Sequence, residues 1–221
     1  MKKQYAIIGL GRFGFNMAKT LAENKCEVIA IDKDEERVRK ASEYVTLAVQ
    51  LEAMDEKALR SVGIQNVDVA IVSIGENIES SILVVMILKQ LGVKYIVAKA
   101  VTSLHGTVLK NLNVDRIVYP ERDMAVRVAH SLIRPTIVEQ LELSDEYSII
   151  EIPSPKVFVG KMLKETRLRS DYGVNLIAIK DTDKDGREKW NVNPLPTDVI
   201  REGDLLVIIG LNTDLEKLSE L

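Results

Sequence analysis

"GLGRFG", residues 9–14, follows the apolar run "QYAII" and leads into "FNMAKTLAEN". Glycines at the first, third and sixth places of a strand-to-helix turn bring the main chain close to a bound anion. Gly9 permits the tight turn, Gly11 lets the backbone approach phosphates, and Gly14 lets the helix pack closely on the strand. The start of the helix adds free amides and a partial positive charge. The next strand, "EVIAID", ends in Asp32, about 20 residues further on, where an acid accepts hydrogen bonds from ribose hydroxyls. Loop, strand, helix and acid together predict a bound adenine nucleotide. Arg12 departs from a plain dinucleotide loop, because a guanidinium here can grip phosphate oxygens bidentately. Phe13 belongs to the same loop and is read chiefly as helix packing.

The pattern around this loop is a regular alternation. "QYAIIGL", "EVIAID", "VTLAV", "VDVAIVSIG", "KYIVAKA" and "RIVYP" read as six buried strands separated by helical stretches. Short apolar runs alternating with helices imply a parallel sheet covered on both faces, a Rossmann-like doubly wound α/β domain. Beyond residue 122 the pattern changes. "DMAVRVAHSLIRPTIVEQL" reads as helix interrupted at Pro135. From about residue 143 the chain reads as α+β: strands "YSIIEI", "VNLIAIKD" and "LLVIIG", helices "GKMLKETRLR" and "NTDLEKLSE", and a polar hairpin turn in "DTDKDGREK". The expected domains are residues 1–140 and 141–221.

Composition narrows the function classes. The 221 residues are 46% hydrophobic and 29% charged, with a net charge of −3. That is a globular composition without the clustered basic charge that nucleic-acid binding needs. No apolar run reaches the roughly 18 residues of a membrane span, and Met1-Lys2-Lys3 shows no leader pattern. Cys26 is the only cysteine, and His105 and His130 are the only histidines and lack ligand spacing, so no metal cluster is expected. Residues 1–140 carry 19 basic against 17 acidic residues, and residues 141–221 carry 11 against 16. The nucleotide-like part is therefore the less acidic one.

Ligands of open α/β sheets sit beyond the carboxyl ends of the strands. Those ends carry Asp32-Lys33, Glu52-Ala53, Ser73-Ile74-Gly75-Glu76-Asn77, Lys99-Ala100 and Pro120-Glu121-Arg122. Lys99 is a candidate phosphate partner. Glu121 is either a cation ligand beside the phosphates or a helix-start carboxylate favoured by the dipole. A dehydrogenase also needs a proton donor beside the hydride. The chain after the sixth strand offers no histidine or cysteine for that work, and Trp190 reads as hairpin packing. A sensor is expected rather than an enzyme, the alternative being a small NAD(P)-dependent oxidoreductase.

"YAIIGLGRFG", "IDKDEERV", "IVSIGENIESSI", "VKYIVAKA" and "DRIVYPERDMAVRVA" together resemble the RCK, or KTN, domain, the cytosolic regulatory domain of bacterial potassium uptake systems. "LELSDEYSIIEI", "YGVNLIAIK" and "NPLPTDVIREGDLLVIIG" resemble the RCK C-terminal domain. The resemblance runs over nearly the whole chain and is nearest to Ktr-type regulatory subunits. It implies homodimers assembled into an octameric ring on an integral membrane potassium-translocating subunit, at the cytoplasmic face of the membrane. It implies ATP or ADP as ligand, with NAD or NADH in Trk relatives. In the resemblance Arg12 reaches the γ-phosphate, Asp32 holds the ribose, and Glu121 joins a Mg, Ca or Na site beside ATP. It also implies a cyclic di-AMP site in the second domain, at Arg169, Asn175 and Pro194. One stretch departs from the family pattern: Glu52-Ala53-Met54 stands where Asn-Ala-Thr or Asp-Ala-Thr is usual, which changes the adenine edge contacts.

Overall fold

A computed structural model describes residues 3–133, 137–182 and 188–221. Six strands alternate with helices in the first part: β1 (Gln4–Ile8), α1 (Arg12–Glu23), β2 (Glu27–Asp32), α2 (Glu35–Ser42), β3 (Leu47–Gln50), α3 (Glu56–Ser61), β4 (Val69–Val72), α4 (Ile78–Gln90), β5 (Ile96–Lys99), α5 (Ser103–Asn111), β6 (Arg116–Val118) and α6 (Pro120–Ile133). The strands form one parallel sheet in the order β3-β2-β1-β4-β5-β6. This is the doubly wound arrangement that the sequence predicts, and it reverses direction between β1 and β4.

The apolar strands follow from burial on both faces. Ala6 and Ile8 of β1 pack into one core with Ile29, Ile31, Leu59, Val84 and Leu88. Ile7, between them, packs into the opposite core with Ala18, Val28, Ala30 and Ala41. Successive side chains of a strand point to opposite faces, so both must be apolar when helices cover both. The helices start where side chains can satisfy orphan amides. Asp34 caps α2, Asp55 caps α3, Asn77 caps α4 and Thr102 caps α5, each accepting from a first-turn amide.

The second part contains β7 (Glu139–Glu142), β8 (Tyr147–Pro153), α7 (Leu163–Thr166), α8 (Leu168–Tyr172), β9 (Asn175–Thr182), β10 (Glu188–Asn191), β11 (Leu205–Leu211) and α9 (Asn212–Ser219). Its sheet has the order β10-β9-β11-β8-β7 and its pairs are antiparallel. Its core gathers Ile150, Ile152, Leu206, Ile208 and Ile200 with Leu215 and Leu218 of α9. The compact units divide between Met124 and Ala125, within α6 and ahead of the 140/141 boundary expected from the sequence, which would cut β7.

Two expectations change. "VEQL" is not the tail of a helix: residues 139–142 form β7, held by pairing Glu139 with Glu151 through Glu142 with Ser148. "GKMLKETRLR" is not one helix: Arg167 has φ +53 and separates α7 from α8. A non-glycine residue in the left-handed region interrupts helical continuity. Pro135, the expected break, and residues 183–187 of the expected hairpin turn lie outside the described residues, as does the side chain of His130.

His105 is buried in α5, 2% exposed. Val101 N donates to its Nδ1 at 3.5 Å, and its Nε2 has no partner among the described residues. Burial holds the imidazole below the usual histidine range. The unfolded chain takes up the proton near pH 6.5 while the folded chain does not, so stability is lost as pH falls below that value. The expected slope approaches about 1.4 kcal/mol per pH unit until the folded form titrates too. His105→Gln should flatten the slope in denaturant midpoints measured from pH 7.5 to 5; an unchanged slope would contradict the assignment.

Candidate nucleotide-binding site

The reversal of strand order opens a cavity of about 380 Å³ beyond the carboxyl ends of the first sheet. Gly9, Gly11, Arg12, Phe13, Asp32, Lys33, Glu52, Ala53, Ser73, Ile74, Gly75, Lys99 and Glu121 all line it. Gly14 does not. It sits behind the loop, where an added Cβ would lie 1.9 Å from the Gly9 carbonyl oxygen and 2.9 Å from Ser73 Oγ. Gly9 has φ +94, a conformation that favours glycine. Gly11 precedes the first residue of α1 in extended backbone, and a Cβ there would meet nothing within 4 Å. Its open flank is the cradle that a phosphate group would fill.

Asp32 orients one end. It is 7% exposed. Its Oδ2 accepts from Leu10 N at 2.6 Å and its Oδ1 accepts from Asp34 N at 3.0 Å. The carboxylate therefore ties the glycine loop to the end of β2 and keeps lone pairs for a ribose hydroxyl. At the other end Lys99 Nζ donates to Glu121 Oε1 at 2.5 Å. This hydrogen bond, with the charges of Lys99 and Arg12, holds the Glu121 carboxyl below the usual range. Glu121 stands in the first turn of α6, so the helix-start role also holds. Among the described residues no group of three or more His, Cys, Asp or Glu side chains could hold a metal ion.

Ser73, at the end of β4, carries a buried Oγ with no hydrogen-bond partner among the described residues. The residue lines the cavity, but its hydroxyl lies behind the loop, on the side of Gly14. The open flank of Gly11 is the feature that fits a phosphate group. The sequence reading did not single out Arg37 or the wall residues Ser80 and Val101. Arg37 reaches the site from the first turn of α2, and only the fold shows that.

In the second unit Arg169 and Asn175 line a separate depression of about 420 Å³, together with Lys164, Arg167 and Ser170. Pro194 lies outside that lining. The nearby Pro196 carbonyl accepts from Lys164 N at 3.0 Å.

The TrkA-N domain model matches residues 5–120 and the TrkA-C domain model matches residues 147–221. The Ktr system potassium uptake protein C of Bacillus subtilis (strain 168) is 43% identical over 220 residues, covering 100% of this chain and 97% of its own. The chain belongs to the Ktr family of potassium uptake proteins. The Ktr system potassium uptake protein A of Vibrio alginolyticus is 31% identical, over 94% of this chain and 92% of its own. Among solved structures, the GsuK RCK domain superposes with a TM-score of 0.57 at 25% identity, over 99% of this chain. This chain spans 46% of that one, less than half its length. In this chain the glycine loop lines the cavity, and Asp32 is the pin that holds the loop.

Two glycines separate folding from binding. Gly14→Ala forces a Cβ against backbone and should lower stability by roughly 1–3 kcal/mol. Gly11→Ala should leave the melting temperature nearly unchanged and abolish detectable adenine-nucleotide binding in calorimetry. Nucleotide binding by G11A at the parent affinity would place the phosphates elsewhere.

Proposed function

We propose that the chain is the regulatory subunit that gates a membrane potassium transporter by reading the phosphate count of an adenine nucleotide in the glycine-loop cavity. The observation that carries this reading is the polarity of the cavity. Asp32, with both oxygens fixed, marks the ribose end, and Arg12 and Lys99 bring two cations to the wall that also holds Glu121. The α1 amides add to the attraction for phosphate. The full-length likeness to Ktr potassium uptake proteins supports the transport role.

ATP and ADP are the ligands that such a device distinguishes, since each phosphate changes the charge facing Arg12. NAD presents a pyrophosphate to the same loop and is the further ligand of this class. A Mg, Ca or Na ion beside the phosphates would use Glu121, with nucleotide oxygens completing its shell. A gate requires a ligand with unequal affinity for two states, since equal affinity shifts nothing. The working form is a homodimer assembled into an octameric ring on the cytoplasmic face of its membrane partner. The nucleotide-binding domain of this reading is residues 1–124 and the C-terminal domain residues 125–221, which keeps β7 whole. No helix among the described residues is long and apolar enough to cross a membrane.

The lining holds no histidine, cysteine or tyrosine to donate a proton beside a hydride, its Lys99 is engaged by Glu121, and His105 is buried in α5 outside the lining. This favours a sensor over the oxidoreductase alternative. NADH oxidation with a panel of carbonyl compounds, absent above background, is the expected result. A second reading applies to the depression of the second unit. Lys164, Arg167 and Arg169 around it favour an anionic ligand, and cyclic di-AMP on Arg169, Asn175 and the neighbouring Pro194 is the proposed one.

Arg12→Ala tests the main reading. A charge-assisted contact to the terminal phosphate is worth about 1.5–3 kcal/mol. ATP affinity should therefore fall roughly ten- to a hundredfold in calorimetry, with ADP and AMP less affected. Equal losses for all three nucleotides would contradict the assignment.

A further inference from the structure

The ribose end of the cavity contains a cation that is already engaged. Arg37, in the first turn of α2, lines the cavity beside Asp32 and Glu76. Its Nη2 donates to Glu76 Oε1 at 3.3 Å. Its Nη1 lies 3.8 Å from Asp32 Oδ2, and its Nε lies 3.9 Å from Asp34 Oδ2. One guanidinium thus faces three carboxylates, and the neighbourhood carries an excess of negative charge.

An acid at the end of the second strand favours a free 2′-hydroxyl, which donates to it. A nearby arginine with free valence instead accommodates a 2′-phosphate. Both residue types are present here, so the outcome depends on whether the guanidinium is available. Asp32 is held by Leu10 N and Asp34 N and stays facing the ribose. Asp34 also accepts from Arg37 N as the cap of α2, which fixes the start of the helix beneath the arginine. Glu76 reaches the guanidinium from the loop between β4 and α4. A 2′-phosphate would bring about −1.5 to −2 further charge into this setting.

We infer that Glu76 is a positioning residue that holds Arg37 against Asp32 and Asp34 and so makes the site select adenine nucleotides with a free 2′-hydroxyl over those phosphorylated at the 2′ position. The inference rests on the nucleotide reading above and extends it to the ribose. It assigns Arg37 to neutralising Asp32 at the strand end and Asp34 at the helix cap rather than to gripping ligand phosphate. Removing the Glu76 charge would release the guanidinium toward a 2′-phosphate, while the hydroxyl contact at Asp32 would be retained.

The test compares AMP with adenosine 2′,5′-bisphosphate, which differ only in the 2′-phosphate, by calorimetry on the full chain at fixed ionic strength. The parent protein should bind AMP on the order of a hundredfold more tightly, because like charges placed together repel. Glu76→Gln should narrow that gap about fivefold through tighter bisphosphate binding, the scale of an exposed charge pair. Glu76→Lys should narrow the gap further. The Glu76 side chain is 86% exposed, so both variants should melt with the parent, which a separate thermal scan checks. Equal affinities for the two ligands in the parent would overturn the inference, as would an unchanged gap in both variants. A loss of AMP affinity with no gain for the bisphosphate would overturn it too. Absence of AMP, ADP and ATP binding in the parent would instead bring down the nucleotide reading itself, and the inference with it.

Discussion

The Asp32 carboxylate is the constraint on which the rest of the site depends. It is buried at the end of β2, yet each of its oxygens accepts a backbone amide, one from the glycine loop and one from the start of the α2 cap. A buried charge persists only when it is paired and hydrogen-bonded, and here the partners belong to the two segments that must be held in register for a ligand. Gly9 N in turn donates to Ile31 O at 2.8 Å, and Ser73 N donates to Ile8 O at 2.7 Å. The loop is thus fixed from β2 on one side and from β4 on the other. Gly14 closes the arrangement from behind, because only a residue without a Cβ lets α1 approach the Gly9 carbonyl so closely.

In the proposed function, that rigidity is what lets the cavity tell ligands apart by their charge. The loop presents fixed amides and Arg12 to phosphate, so binding free energy depends on the charge that arrives there. Lys99 is only 12% exposed in its side chain and donates to Glu121, so a ligand phosphate competes with that carboxylate for the lysine. A contact made in one liganded state and broken in another is the raw material of a two-state switch. Under the proposed function, the link from the cavity to a transport partner is charge rearrangement at the start of α6, the helix that carries Glu121.

The parallel sheet was legible in the sequence because each strand is an apolar run punctuated by glycine or a capping residue, and burial on both faces leaves no other pattern. The glycine loop and Asp32 were legible for the same local reason. What escaped was decided by contacts between distant residues. β7 escaped because "TIVEQLEL" carries apolar residues at both helical and strand spacing, and pairing with β8 settles it. Arg167 broke the expected helix because a left-handed backbone at a non-glycine residue leaves no clear mark in the sequence. Arg37 carries no mark within "DEERVR"; its partner Glu76 is 39 residues away and meets it only because β2 and β4 flank β1. Gly106 similarly matters for Tyr119, whose hydroxyl an added Cβ would meet at 1.6 Å, a packing constraint with no local signature.

The central claim is that nucleotide binding at this cavity drives a change of shape rather than a reaction. Small-angle X-ray scattering of the full chain, saturated in turn with ATP and with ADP at matched concentration, tests it most directly. The account predicts two reproducibly different profiles, each independent of incubation time, because the terminal phosphate is read and not consumed. Superimposable profiles from fully loaded samples would contradict it.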